Sequence, residues 1–98
     1  MNTKNNKGVT PMMSVAIKGI FEFVMILVEI STEINAAINA AAKDGFTALM
    51  YGAYYGHTEI VAYLLNQDAD KSTVTKKGET ALSIAEKKTF GAVAALLK

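Results

Sequence analysis

The stretch DGFTALMYGAYYGHTEIVAYLLNQDAD, residues 44–70, decides how the chain folds. Thr47 is a suitable N-cap, because its hydroxyl can accept from the backbone N–H groups that a first helical turn leaves unpaired. Nine residues later Gly56 supplies a position that enters left-handed backbone without strain, so the helix begun at Thr47 ends and the chain turns. Beyond the turn, Ile60, Val61, Leu64 and Leu65 recur at helical spacing and give a second helix one apolar face. Ala53 leaves space for close approach of the two helices, whereas Gly52 costs ~1 kcal/mol of helix propensity unless packing requires it. The stretch is therefore a helix-turn-helix hairpin.

Working outward, Gly45-Phe46-Thr47-Ala48-Leu49 is matched 33 residues on by Gly78-Glu79-Thr80-Ala81-Leu82. Gly8-Val9-Thr10-Pro11-Met12 is a third copy, 37 residues upstream of the second. The four extra residues have a visible source, since Ile34-Asn35-Ala36-Ala37 is followed directly by Ile38-Asn39-Ala40-Ala41, a tandem duplication. Thr10 and Thr80 are the matching N-caps, and Pro11 suits a first helical position that has no use for its N–H. Gly19 matches Gly56. A lone pair of ~10-residue helices cannot offset its ordering entropy by burial, so neighbouring hairpins must stack.

The middle unit resembles an ankyrin repeat. That family's pattern runs Gly-x-Thr-Pro-Leu-His-x-Ala-Ala, Gly-His-x-Glu-Val-Val, Leu-Leu and Gly-Ala-Asp. Gly45, Thr47, Leu49, Ala53, Gly56, His57, Glu59, Ile60, Val61, Leu64, Leu65, Ala69 and Asp70 match it in order. The first unit keeps Thr10, Pro11, Ala16, Gly19, Glu22, Val24 and Leu27, and the third keeps Thr80, Leu82, Ala85, Val93 and Leu97. The resemblance implies an all-α, ankyrin-type solenoid of about three stacked helix-turn-helix repeats with short hairpin-like connections. It forms a single domain over residues 1–98, with units at about 7–37, 38–75 and 76–98. Met13, Met50 and Ser83 stand where the family has the histidine that bonds the threonine hydroxyl, so all three helix starts are expected to be weaker. Thr89 replaces an interhelical glycine, and Ser31 and Asp68 replace the glycine after the second helix.

The composition agrees with a packed domain: 51% of residues are apolar, 19% are charged and the net charge is +1. Absence of cysteine excludes disulfides, thiolate metal sites and cysteine nucleophiles. Residues 20–30, IFEFVMILVEI, follow Lys4 and Lys7 but are too short for a membrane span and carry Glu22 and Glu29. No membrane span is expected, and with neither an export nor a membrane signal read, cytoplasm is the default compartment. His57 and Glu59, two residues apart on a helix, point to different faces, which argues against catalysis. No activated serine, phosphate-binding loop or metal cluster is present in the sequence, so neither enzyme activity nor a cofactor is expected. Residues 68–79, DADKSTVTKKGE, mimic the spacing of a calcium-binding EF-hand loop. However, the sixth position is Thr73 instead of glycine, and Lys76 and Lys77 place positive charge where a dication would sit.

In ankyrin proteins the hairpin tips and the exposed side of the first helices form a concave binding face, so the expected function is non-catalytic binding of another protein. The resemblance places Lys43, Asp44, Phe46, Tyr51, Tyr54 and Tyr55 there from the middle unit, and Lys76, Lys77, Glu79, Lys87 and Lys88 from the third. Phe46, Tyr54 and Tyr55 are the expected anchors, because contact energy concentrates in aromatic side chains. For Tyr51 and Phe46 the alternative is packing between repeats. Residues 71–98 carry a net charge of +4 and residues 38–70 carry −3. The basic end suits an acidic protein. Lysines without any arginine argue against nucleic acid. Phe21, Met25 and Ile30, at positions usually polar and outward in the family, predict a second possibility, self-association into a homo-oligomer or a place within a longer array.

Overall fold

The computed structural model describes residues 8–98, with the side chain of Asn35 excepted. The beginning of the single-domain span 1–98, and of its first unit at residue 7, lies outside the described residues. Among these, the chain forms seven α-helices and no strand: α1 (Pro11–Lys18), α2 (Phe21–Ile30), α3 (Ile34–Asn39), α4 (Ala48–Tyr55), α5 (Thr58–Asn66), α6 (Ala81–Lys87) and α7 (Gly91–Leu97). Three hairpins, α1/α2, α4/α5 and α6/α7, stack in sequence order. Helices α1, α4 and α6 lie side by side in an inner layer, and α2, α5 and α7 form an outer one.

Each inner helix starts where its threonine dictates. The Thr10, Thr47 and Thr80 hydroxyls accept from the N–H groups of Met13, Met50 and Ser83 at 3.3, 3.4 and 3.1 Å. The expectation of a weaker start fails in the third unit, because Ser83 restores a reciprocal contact: its Oγ accepts from Thr80 N–H at 2.9 Å. Gly19 and Gly56 end α1 and α4 in left-handed backbone, at φ 74 and 72°. Thr89 takes the same conformation at φ 59°, and Asp68 does so at 65°, without the freedom of glycine. Ser31 instead leaves α2 in extended backbone.

The core runs between the two layers and through the whole stack. Met13, Leu49, Met50, Ile60, Val61, Leu64, Ile84 and Val93 are buried in one cluster. Gly52 lies at a close approach of α4 and α5, where a Cβ would stand 3.0 Å from Cγ2 of the buried Val61. The duplication is helical in part. It winds into α3, where Ile38 is fully buried and its copy Ile34 is exposed.

The repeats are also joined by a knob and a socket. The residue before each outer helix packs on the left-handed glycine of the preceding hairpin. A Cβ on Gly19 would lie 2.5 Å from His57 Cε1, and one on Gly56 would lie 2.9 Å from Phe90 Cε1. His57 Nε2 also lies 3.2 Å from Ile17 O, and because a carbonyl only accepts, that nitrogen carries the proton. The one histidine thus ties two hairpins together. Ile20 is the corresponding knob of the first unit and stands 37% exposed.

Candidate functional site

The tips between the hairpins are built from backbone pairing around small side chains. Ala42 N–H donates to Phe46 O at 2.8 Å, and Thr75 N–H to Glu79 O at 2.8 Å, closing two parallel loops. Lys76 N–H donates to Asp44 O at 3.1 Å and joins the loops edge to edge. Gly45 permits this approach, for a Cβ there would stand 2.9 Å from Thr75 Cα. Within the loops, Asp44 Oδ1 accepts from Phe46 N–H at 3.0 Å, and Thr75 Oγ1 accepts from the N–H groups of Lys77 and Glu79 at 3.2 Å. These bonds fix the side chains that the tips present.

Between the tips and the inner helices lies an open groove of about 670 Å³. Its apolar floor is Phe46, Tyr54 and Ile84, its wall Asp44 and Thr75, and its rim Lys76, Lys77, Glu79, Lys87 and Lys88. Tyr54 meets Phe46 edge-on at 6.3 Å and keeps 37% of its surface exposed. Lys88 Nζ sits 4.2 Å above the Tyr54 ring, a cation–π contact that orients both groups. Lys87 Nζ donates to Glu79 Oε2 at 2.6 Å, and this bond, with the charges of Lys87 and Lys77, holds the Glu79 carboxyl below its ordinary range.

The structure brings eight of the eleven residues expected at the concave face into this groove. The other three lie elsewhere. Lys43 borders Gly8 at the neighbouring tip. Tyr51 is half-buried against Phe46, with ring centres 5.0 Å apart, and desolvation, then Asp44 and Tyr55, push its hydroxyl pKa up. Tyr55 turns away, stacked on His57 at 6.1 Å while its edge meets Tyr54 at 4.9 Å. Ile84 and Thr75 were not anticipated. Ile84 occupies a core position by spacing and is 3% exposed, so only the geometry reveals that its surface reaches the groove floor.

The outward placement expected for Phe21 and Met25 needs correction. Both are half-buried, and Phe21 packs edge-on against Tyr63 of the next hairpin at 5.6 Å, because its helix position faces α5. Ile30 is exposed as expected. The exposed stripe is Ile20, Phe23, Ile26 and Ile30, at helical spacing along α2. Repeat register explains it: Phe23 and Ile26 correspond to Ile60, which is buried, and to Tyr63, which the middle unit packs against Phe21 of its predecessor. Phe23 is 52% exposed and Ile60 is 1% exposed.

In the segment resembling a calcium loop, Asp70 is committed to local bonds. Its Oδ1 accepts from Ser72 N–H at 2.9 Å and from Ser72 Oγ at 2.6 Å, which lowers its pKa, and its N–H donates to Asn39 Oδ1 at 2.8 Å. Among the described residues no group of three or more acidic or histidine side chains is placed to hold a metal ion, and no helix is long and apolar enough to cross a membrane.

Comparison with known proteins supplies the rest. A family model described as ankyrin repeats (3 copies) matches residues 1–75 and 39–98. Ankyrin repeat and SAM domain-containing protein 6 of Rattus norvegicus is 40% identical over 84 residues, 86% of this chain and 9% of that protein. Ankyrin repeat and KH domain-containing protein mask-1 of Caenorhabditis elegans is 38% identical over 78 residues, 80% of this chain and 3% of its own length. NAD-capped RNA hydrolase NUDT12 of Homo sapiens is 50% identical over 48 residues, 49% of this chain and 10% of the hydrolase. The chain thus spans a tenth or less of the relatives it matches. Repeats of this kind are generally protein–protein interaction modules. With three capped hairpins stacked in order and a family match across the chain, the protein belongs to the ankyrin-repeat family.

Proposed function

We propose that the protein binds another protein without catalysing a reaction, and that a segment of the partner docks in the groove with an apolar side chain against Phe46, Tyr54 and Ile84. The supporting observation is the exposed Tyr54 ring in an apolar floor, held in orientation by Phe46, which it meets edge-on, and by Lys88 over its face. A fixed aromatic of this kind gives large contact area at little loss of rotamer freedom. The chemistry named in the hydrolase relative belongs to that protein. Capture of partners from native cell lysate by the single variants tests the site. Tyr54→Ala should reduce capture about tenfold or more, while Tyr55→Ala, outside the groove, should leave it within about twofold. Equal effects of the two would reject the groove as the site.

A second reading has its own observation, the exposed stripe of α2. We infer that a second copy of the chain covers it, helix against helix. Head-to-tail stacking is opposed because Thr89 places a side chain where Gly19 and Gly56 have sockets. Sedimentation equilibrium should then find a dimer that Phe23→Glu dissociates and Tyr54→Ala does not. A monomer at all concentrations up to ~100 µM, where such an apolar patch should already associate, removes this reading.

A further inference from the structure

We propose that the groove selects an acidic linear segment, one that carries a single apolar anchor flanked by carboxylates. This deepens the docking reading and rests on it. Four lysines rim the groove against two acids, and both acids are already engaged within the protein. Asp44 accepts from Phe46 N–H, and Glu79 accepts from Lys87 at 2.6 Å. Lys76 and Lys77 stand exposed on a tip whose backbone is fixed by Thr75 and Asp44. Both belong to the tip that precedes α6, whereas Lys88, lying over Tyr54, follows the C-terminal end of that helix.

The unneutralised charge therefore brackets the floor, and a ligand matching it has carboxylates on both sides of its anchor. An apolar contact alone would fill the floor and leave the lysines without partners. Charge complementarity at such a rim acts chiefly on encounter rate and on rejection of wrong partners, so the lysines set which segment enters and the floor sets how long it stays. A nucleic-acid strand fits less well. No arginine is available for bidentate contacts, and one exposed aromatic is too few for successive base stacking.

The test is selection from a displayed library of random dodecapeptides on the intact chain. Enriched peptides are then synthesised and titrated by fluorescence anisotropy against the wild type, Tyr54→Ala and the double variant Lys76→Gln/Lys77→Gln. Far-ultraviolet circular dichroism checks that each remains folded. The enriched peptides should be rich in Asp and Glu around one Leu, Met, Phe or Tyr. Their affinity should fall about tenfold in the double lysine variant and several-fold between 50 and 300 mM salt. Neutral or basic peptides that bind the wild type and lose affinity in Tyr54→Ala would overturn the acidic preference and leave the groove as the docking site. Peptides indifferent to Tyr54→Ala would overturn the docking reading as well. No enrichment at all would show that the groove does not take a linear segment. Displacement of the peptides by a single-stranded deoxythymidine 20-mer at lower concentration than by free peptide would replace the proposal with nucleic-acid binding.

Discussion

Gly56 does two jobs that one substitution can separate from each other. Its φ of 72° excludes most side chains, and the space above it is filled by the Phe90 ring. Gly78 has a similar φ of 79°, yet a Cβ there would meet nothing within 4 Å. Gly78→Ala should therefore cost only the backbone term, about 1 to 2 kcal/mol, and Gly56→Ala should cost clearly more, with urea denaturation reading the difference. Equal losses would mean that Phe90 yields freely. The Glu79 carboxyl gives a second measurement at this scale. Because its folded pKa is lowered by Lys87, its contribution to stability is present above the unfolded pKa and disappears as pH falls through the folded one. Carboxyl NMR titration of Lys87→Gln should show Glu79 moving up toward its ordinary range. The sequence makes the glycine turns legible because left-handed backbone leaves a residue-type signature. It does not make legible the Lys87–Glu79 bond or the Lys88–Tyr54 contact, which join residues eight and thirty-four apart through rotamers that no local pattern encodes.

At the scale of elements, periodicity and caps gave the two layers, since each inner helix opens on a threonine and each outer helix carries a dense apolar stripe. Two features escaped this reasoning. Helix α3 grew from a duplication whose two isoleucines are identical in sequence and opposite in burial, a distinction set only by the neighbouring α2 and α4. Phe21, expected outward, is half-buried against Tyr63 while Phe23 is exposed, because the position facing α5 is fixed by the angle of stacking and not by hydropathy. Gly52 illustrates the opposition of local and tertiary preference. Alanine would gain ~1 kcal/mol in propensity, but its Cβ would press on the buried Val61 side chain at 3.0 Å. Gly52→Ala should thus lower the melting temperature, and Val61→Ala in the same chain should reduce that penalty, a coupling that a double-mutant cycle measures.

Across the whole molecule, charge separates the two surfaces that sequence reasoning could only name in outline. The stripe on α2 is bordered by the exposed Glu22 and Glu29, whereas the groove at the other end of the stack is rimmed by lysines. Salt should therefore act on them in opposite directions. Screening weakens capture of an acidic segment and relieves repulsion between two facing acidic helices, so dimerisation at α2 should tighten over the salt range in which groove binding loosens. Sedimentation and anisotropy on one sample series would read both trends, and parallel trends would contradict this assignment of charge.

The side chain of Thr89 makes the stack directional. An incoming hairpin with a bulky leading residue finds a receptive hollow at each earlier junction and a hydroxyl-bearing stopper at the last one. Lengthening by further copies would have to seat Ile20 of one on the Thr89 junction of the next, so crosslinked copies should accumulate as closed pairs and not as fibres, and Thr89→Gly is the change that would license open-ended polymers.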